Sequence, residues 1–273
     1  VEMADARLTY AQVEARTNRL ARRLAALGVR PGMSVAICLE RSLDLPVTVL
    51  AVLKAGGAYV AVHPSCPAER VAYILNDSSA TVVVTTSDVA AWLPLEAETV
   101  LQLDQAADQI AQELAEPLDV RVDADDLCYV LYTSGSTGRP KAAGLPHRVL
   151  ANLLRWQVER AVGPRAARTL QFASLSFDVS FQEIFGAWTT GGTLVLVDEE
   201  TRRDAERLLA HLRRERVERV DLPPLECIDD GDPRVPDMKH AADILLGMRF
   251  QLDLYVNYRP VRLLDERLSP LKA

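Results

Sequence analysis

The sequence lacks several features that would place it in common classes of protein. No apolar run approaches the roughly 18–20 residues that a membrane-spanning helix needs. The first residues, Val-Glu-Met-Ala-Asp, show no succession of basic, apolar and cleavage-site residues, so we expect no secretory signal. Basic residues do not predominate, because 31 Lys and Arg stand against 38 Asp and Glu and leave a formal charge of −7. This balance disfavours non-specific nucleic-acid binding, which draws its affinity from basic side chains.

Cysteine and histidine are too few and too scattered for a disulfide framework or a structural metal site. No two of the four cysteines form a C-x-x-C pair, and no H-E-x-x-H motif or Cys/His cluster is present. Together with the missing secretory signal, this pattern predicts reduced thiols in a cytoplasmic protein. The residues concerned are Cys38, Cys66, Cys128 and Cys227, and His63, His147, His211 and His240.

The sequence does contain a regular alternation of helical and strand patterns between residues 8 and 221. In the first predicted helix Val13, Leu20 and Leu24 share one face, and Gly28 suits the end of the helix. Strands that alternate with helices predict an α/β fold, in which a layered, largely parallel sheet is covered by helices on both faces. The predicted helices are 10–27, 43–55, 67–76, 148–160, 180–189 and 201–215, and the predicted strands are 34–39, 57–62, 81–85, 127–133, 168–173, 193–197 and 216–221.

The composition changes near residue 223. Pro223 begins an acidic stretch with further prolines, a composition typical of a linker or junction. A helical pattern resumes after Asp237, which suits a helix cap, and ends near Asn257. The sequence therefore predicts two parts, a folded domain at residues 1–224 and a short helical or irregular tail at residues 225–273.

The most informative segment follows the predicted strand at 127–133. Hydroxyl side chains and glycines alternate there, and a lysine closes the segment. Glycine lets the backbone approach a ligand, hydroxyls and free N–H groups can donate to phosphate oxygens, and lysine adds positive charge. The segment suits a polyphosphate but is not a Walker A loop; the alternative is a surface turn, because turns favour the same residues. The candidate phosphate-binding residues are Thr133, Ser134, Gly135, Ser136, Thr137, Gly138 and Lys141.

The ordered string of this segment resembles a known family. Thr-Ser-Gly-Ser-Thr-Gly-Arg-Pro-Lys at 133–141 is similar to the ATP-binding loop of the adenylate-forming superfamily of AMP-dependent synthetases and ligases. Residues 8–10, 53–60 and 177–185 resemble three further motifs of the amino-acid adenylation domains of nonribosomal peptide synthetases. The similarity covers about residues 8–224, in the order and spacing of the family. It implies the N-terminal part of an adenylation domain.

This resemblance implies ATP-dependent activation of an amino acid. The family forms an aminoacyl adenylate and pyrophosphate, and then passes the acyl group to the thiol of a carrier protein. The implied cofactors are ATP and Mg²⁺, with the candidate loop and Lys141 around the β- and γ-phosphates and Thr137 near the magnesium ion. Ala142 stands where the family usually has glycine, and Gly144 and Pro146 disfavour the strand that follows the loop.

Asp178, between a predicted strand and a predicted helix, is the candidate anchor for the substrate. A buried ammonium group needs a carboxylate partner, because an unpaired buried charge is costly. The alternative role is helix capping, but Ser180 and Glu183 form a capping-box pattern that could cap the helix without Asp178. By resemblance, Asp178 holds the α-amino group of the amino acid, and Val179 and Gln182 face its side chain.

The resemblance stops before other parts of the family's site. The adenine-contacting segment, the aspartate that binds the ribose and the C-terminal lid with its catalytic lysine find no counterpart after residue 224. Catalysis would rest on positioning and electrostatics around the attacking carboxylate and the α-phosphate. We therefore predict an incomplete enzyme with weak turnover or none. A relict that retains nucleotide binding at most is the alternative.

The tail resembles a different family. Residues 231–237 and 252–262 are similar to stretches of the isopropylmalate, isocitrate and tartrate dehydrogenases. In that family two arginines clamp the carboxylates of a hydroxy acid, a task that suits planar guanidinium groups. Arg249 and Arg259 fall on those positions, and solvated arginines at a helix end are the alternative. The tail thus raises a third hypothesis, a fragment of an NAD-dependent hydroxy-acid dehydrogenase fused to the adenylation part.

Overall fold

The computed structural model describes residues 1–93, 99–133, 140–160 and 165–222, together with the backbone of two short strands in the tail. The helices in these residues are α1 (Tyr10–Ala26), α2 (Asp44–Lys54), α3 (Ala68–Asp77), α4 (Ser87–Ala90), α5 (Ala107–Gln112), α6 (His147–Arg160), α7 (Val179–Thr189), α8 (Glu199–Arg203) and α9 (Ala205–Arg214). The strands are β1 (Glu2–Met3), β2 (Ala6–Arg7), β3 (Ser34–Ile37), β4 (Ala58–Ala61), β5 (Val82–Thr85), β6 (Thr99–Gln102), β7 (Leu127–Thr133), β8 (Lys141–Pro146), β9 (Arg168–Gln171), β10 (Thr193–Leu196), β11 (Asp221–Leu222), β12 (Leu254–Val256) and β13 (Arg259–Val261).

The larger sheet has six strands in the order β6-β5-β3-β4-β7-β8. Neighbouring strands are parallel except β7 and β8, which form an antiparallel hairpin. Side chains alternate between two buried faces. In β5, for example, Val82 and Val84 belong to one apolar cluster and Val83 belongs to another. Burial on both faces explains why such strands are continuous apolar runs in the sequence.

Helices cover both faces of this sheet and connect it to a second one. Helices α3 and α4 pack on the face that includes Val83. Helices α1, α2 and α7 share the opposite cluster with Leu194 and Leu196 of the smaller sheet, whose strand order is β2-β1-β10-β9. Helix α9 covers the far side of the smaller sheet through Leu208 and Leu212. The layers therefore run helix, sheet, helix, sheet, helix, which confirms the predicted α/β architecture.

Most of the predicted elements are confirmed with small shifts at their ends, but one predicted helix was wrong. Gly28 follows α1 with a φ of +94°, the left-handed conformation that commonly ends a helix. The pattern at 201–215 forms two helices rather than one. The break lies at Asp204, which has extended backbone and whose carboxylate accepts a hydrogen bond from the Arg207 backbone N–H at 3.0 Å. A favourable N-cap thus outweighs the continuous helical pattern.

The predicted strand at 216–221 and the predicted helix near the end of the tail also differ from the structure. The chain turns at Arg216, which has a φ of +49°, so the strand begins only at Asp221. Residues 254–256 form a strand parallel to β11 instead of ending a helix. An open sheet edge offers backbone groups to which a β-favouring Leu-Tyr-Val sequence can pair. The remainder of the predicted tail helix lies outside the described residues.

Candidate functional site

The stem of the candidate phosphate loop is the β7–β8 hairpin. Strand β7 ends at Thr133, strand β8 begins at Lys141, and these two residues pair directly. Both side chains are exposed. The predicted loop residues between them, 134–139, lie outside the described residues, so their contacts with phosphate stay a prediction. The structure does bring the two flanking candidates together at the open end of the hairpin.

Strand β8 forms over its full length despite the residues expected to disfavour it. Its six residues include Gly144 and Pro146, and Pro146 pairs opposite Leu127 at the base of the hairpin. Because β8 is an edge strand, the missing N–H of a proline removes no hydrogen bond that the sheet needs. The strand therefore forms in spite of these residues, and how far they weaken it stays a prediction.

Helix α3 is joined to the stem by two tyrosine hydroxyl groups, one from Tyr73 of the helix and one from Tyr132 of β7. The Tyr132 hydroxyl donates to the Asp77 carboxylate at 2.7 Å, and the Tyr73 hydroxyl donates to the Pro140 carbonyl at 3.1 Å. The two rings meet edge to face with centroids 6.4 Å apart. Tyr132 precedes the candidate loop and Pro140 follows it. Both ends of the loop are thus fixed to one helix.

Removing either tyrosine hydroxyl should loosen this attachment. We expect Tyr73→Phe to lower the free energy of unfolding by about 1 kcal/mol, the usual net value of a neutral hydrogen bond. Tyr132→Phe should cost somewhat more, about 1.5–3 kcal/mol, because its acceptor is a carboxylate. Urea unfolding followed by circular dichroism measures both values. Two variants as stable as the wild type would show that the stem is held by packing alone.

Asp178 lies at the start of α7 and does not cap it. The residue is exposed and takes the N-cap position, but its side chain makes no capping hydrogen bond. The capping box predicted for Ser180 and Glu183 was wrong, because the Ser180 hydroxyl donates to the Phe177 carbonyl at 2.6 Å and Glu183 points to the smaller sheet. Asp178 is nevertheless released from capping, as the sequence predicted.

Asp178 comes three residues before Phe181, the aromatic side chain of α7 that contacts the buried residues Tyr59 and Tyr129. Burial, followed by the Asp178 charge, raises the pKa of Tyr129 to about 12. Burial also raises the pKa of Tyr59, with smaller contributions from Cys128, Tyr129 and Asp178. Both rings contact Phe181 of α7, with centroid distances of 5.6 Å for Tyr59 and 4.6 Å for Tyr129. The candidate anchor thus begins the helix whose Phe181 forms an aromatic wall with Tyr59 and Tyr129. This wall could not be foreseen from the sequence because its members come from three distant segments.

The other two predicted substrate residues share the same helix. Val179 and Gln182 are partly buried, and the Gln182 side-chain oxygen accepts a hydrogen bond from the Gln157 side-chain N–H of α6 at 3.1 Å. The structure therefore groups Asp178, Val179 and Gln182 at one end of α7. Their contacts with an amino acid stay a prediction.

Glu183 is a fully buried carboxylate for which the sequence predicted only a capping role. Its oxygens accept hydrogen bonds from the backbone N–H groups of Phe172 and Ala173, each at 3.1 Å, and from the Gln171 side chain at 3.0 Å. Burial raises the pKa of Glu183 to about 8, although the N–H groups of Ala173 and Phe172 lower it. The sequence signal that could have revealed this buried carboxylate is an acidic residue among the apolar residues of α7.

Arg41 connects the two sheets behind this site. It follows β3, and its guanidinium donates to the Gln171 carbonyl at 3.0 Å and to the Phe172 carbonyl at 2.6 Å. It also forms an ion pair with Glu199 at 3.1 Å, and Glu199 contacts Arg202 as well. Burial opposes the negative charge, but the hydrogen bond from Arg202 and the charges of Arg202 and Arg41 lower the pKa of Glu199 to about 2.

The described residues contain no cluster of three or more His, Cys, Asp or Glu that could hold a metal ion. Thr137, the magnesium candidate, lies outside them. Cys38, Cys66 and Cys128 are free, as predicted. In the described part of the chain, no helix combines the length and the apolar character needed to span a bilayer.

The side chains of the dehydrogenase hypothesis lie outside the part of the chain that the structure describes. Arg249 lies outside the described residues, and of Arg259 the structure describes only the backbone, in strand β13. The proposed clamp stays a prediction.

The sequence matches the family described as AMP-binding enzyme over residues 1–225. The chain belongs to the AMP-binding enzyme family. Among the relatives of this AMP-binding chain, Tyrocidine synthase 2 of Brevibacillus parabrevis is 39% identical over 223 residues, which are 82% of the chain and 6% of the relative. A linear gramicidin synthase polypeptide of the same organism is 39% identical over 268 residues, which are 97% of the chain and 5% of the relative. The chain thus spans a small part of these relatives, and the second alignment extends past residue 225.

Solved structures of a nonribosomal peptide synthetase, FmoA3, have the same fold. The form with bound alpha-methyl-L-serine-AMP superimposes with a TM-score of 0.74 and is 31% identical, covering 84% of this chain and 26% of that one. The AMPPNP-bound form gives a TM-score of 0.75, again with 31% identity, over 85% of this chain and 25% of that one. The AMP-binding fold of the chain is therefore that of a nonribosomal peptide synthetase adenylation domain.

Proposed function

We propose that the chain provides the site that binds ATP and an amino acid for an amino-acid adenylation reaction. In this reaction a carboxylate oxygen of the amino acid bonds to the α-phosphorus of ATP, and the bond from that phosphorus to pyrophosphate breaks. The products are an aminoacyl adenylate and pyrophosphate. The observation that carries the proposal is that Asp178 begins the helix whose Phe181 ring contacts Tyr129, and that Tyr129 lies on the strand that leads into the candidate phosphate loop.

The geometry of β7 supports this arrangement. Tyr129 and Thr133 lie on one strand and, with a side-chain period of two, on one face of it. Four residues of a strand span about 13 Å, so Tyr129, which packs on the helix that Asp178 begins, and Thr133, at the start of the phosphate loop, are separated by about that length. An amino acid and the phosphate chain of ATP together can bridge this distance. Asp178 would neutralise the ammonium, and Lys141 would neutralise part of the phosphate charge.

Magnesium belongs to the proposal as the ion that accompanies the phosphates of ATP. Hydroxyl oxygens and phosphate oxygens are ligands that Mg²⁺ accepts, and this ion usually keeps several waters and few protein ligands. Thr137 is the proposed protein ligand. The ion would balance the phosphate charge, while the protein orients the amino-acid carboxylate toward the α-phosphorus.

The partners follow from the same proposal. The substrate is an amino acid, and the alpha-methyl-L-serine-AMP in the FmoA3 structure is an aminoacyl adenylate of this kind. The acyl group would then pass to the thiol of a carrier protein.

The direct test is binding of an adenylate analogue. Aminoacyl-sulfamoyl adenosines of the proteinogenic amino acids, titrated by calorimetry, should include at least one that binds more tightly than its analogue without the α-amino group. Amino-acid-dependent exchange of pyrophosphate into ATP measures turnover in parallel. Tight analogue binding with weak exchange is the expected outcome, and robust exchange would overturn only the prediction of weak turnover. Nucleotide binding without any preference for the α-amino group would favour the relict alternative.

Lys141 provides a test of the phosphate loop. We expect Lys141→Ala to raise the Kd for ATP about tenfold, the loss expected for one hydrogen bond to a charged group. Arg207→Ala is the control. Arg207 is an exposed residue of α9, and its substitution removes the same charge from the far side of the smaller sheet. Calorimetric titration with ATP measures both variants. Equal affinities in the two variants would contradict a role for Lys141 beyond net charge.

A further inference from the structure

Glu183 has an unusual environment for a buried carboxylate. No cation contacts it directly among the described residues, and the charged groups that influence it most are Asp221 and Arg41. Burial of a carboxylate without a direct ion pair is unfavourable, and an apolar residue of similar size often serves stability better. Glu183 does provide acceptors for three N–H groups at the end of β9. These are the side-chain N–H of Gln171 and the backbone N–H groups of Phe172 and Ala173. Its arrangement therefore indicates a task other than stability.

The N–H groups that Glu183 binds belong to the start of the segment that ends at Asp178. Hydrogen bonds to the Glu183 carboxylate fix residues 171–173. The segment then turns, with the Phe177 N–H donating to the Ser174 carbonyl at 2.9 Å, and enters α7 at Asp178. Glu183 is itself part of α7. The carboxylate thus closes a loop between the end of β9 and the helix that begins at the substrate anchor.

Arg41 fixes the same backbone from the opposite side. Its guanidinium donates to the carbonyls of Gln171 and Phe172, whereas Glu183 accepts from the N–H of Phe172. Both backbone polar groups of Phe172 are therefore held by buried polar side chains. This arrangement leaves little freedom to the segment that carries Asp178.

We propose that Glu183 is a positioning residue for the amino-acid site, which holds residues 171–173 and so places Asp178 at the start of α7, three residues before the Phe181 ring that contacts Tyr59 and Tyr129. The proposal rests on the proposed function, because positioning has a readout only if Asp178 binds an ammonium group. Glu183 touches no reacting atom and acts through the segment that it holds. Its loss should weaken recognition of the α-amino group without changing recognition of the nucleotide.

Two substitutions at Glu183 give a graded test. Gln keeps one acceptor oxygen and loses the other, whereas Ala removes both. We expect Glu183→Gln to weaken binding of the tightest aminoacyl-sulfamoyl adenosine about fivefold and Glu183→Ala about thirtyfold, as one and then more buried hydrogen bonds are lost. Binding of the analogue without the α-amino group, and of ATP, should stay within about twofold for Gln and Ala alike.

A stability control separates positioning from general destabilisation. Val84→Ala truncates a fully buried side chain of β5 in the larger sheet, which makes none of the hydrogen bonds that hold residues 171–173, and should lower stability by about 1–3 kcal/mol. Hydrogen exchange followed by mass spectrometry should become faster in peptides covering 171–178 in the Glu183 variants. It should stay unchanged there in Val84→Ala.

The possible failures can be told apart. A wild type that binds every analogue with and without the α-amino group equally well overturns the proposed function, and the positioning role falls with it. A wild type that discriminates, with unchanged discrimination in both Glu183 variants, overturns the positioning role alone. Equal weakening of ATP and of the adenylate analogue, or the same loss of discrimination in Val84→Ala, also overturns it.

Discussion

Replacement of Asp178 by Asn is expected to weaken binding of the tightest aminoacyl-sulfamoyl adenosine by about 100-fold or more. The loss of one partner of a buried, hydrogen-bonded charge pair commonly costs about 2–5 kcal/mol, because the remaining charge is left without compensation. The Asp178 side chain is exposed, so the bound amino acid itself would exclude water from the pair, and the remaining charge would be the substrate ammonium. Asn has nearly the same shape as Asp, so the change removes charge and leaves packing intact.

The analogue without the α-amino group provides the second half of this experiment. It should bind wild type and Asp178→Asn with similar affinity, because neither complex contains the ammonium–carboxylate pair. The difference between the two ligands in the two proteins is a double-mutant cycle and isolates the pair itself. Val179→Ala is a neighbouring control that leaves the carboxylate in place. If both ligands lose the same affinity in Asp178→Asn, the residue shapes the pocket and does not bind the ammonium.

The elements that the sequence predicted well are those that short-range patterns determine. The continuous β-branched run at 81–85 predicted a strand. In the structure all four residues of Val82–Thr85 are buried, and a strand that is buried on both faces requires such a continuous apolar sequence. The end of α1 was predictable because Gly28 adopts a left-handed conformation that few other residues take. In both cases the determining residues are adjacent in the chain, so no knowledge of distant partners was needed.

The parts that were missed depend on partners far away in sequence. Ser180 and Glu183 have the spacing of a capping box, but the buried N–H groups of Phe172 and Ala173 compete for the Glu183 carboxylate, and the local pattern contains no sign of them. The guanidinium of Arg41 binds Gln171, which is 130 residues further along the chain. The candidate site was thus predicted as a set of motif residues, whereas the side chains that support it became apparent only in the structure.

Replacement of Arg41 by Met is expected to lower the free energy of unfolding by about 3–5 kcal/mol, because a buried guanidinium that serves several buried acceptors is lost. The Arg41 side chain is only 9% exposed, and its guanidinium satisfies two carbonyl groups, the Gln171 side chain and Glu199. Met fills much of the same space but donates no hydrogen bond. The two carbonyls would remain buried without a donor, and desolvation of each then adds to the loss.

Arg203→Met is the matched control for this prediction, because Arg203 also pairs with Glu199, at 3.1 Å, but is 53% exposed. An exposed ion pair contributes little, so this variant should lose no more than about 1 kcal/mol. Urea unfolding measured by circular dichroism gives both values. A large loss confined to Arg41→Met would indicate that burial and the bridge between the sheets, rather than the charge pair with Glu199, make this residue important. Similar losses in the two variants would contradict that explanation, since both remove a cation from the same carboxylate and only Arg41 joins the larger sheet to β9.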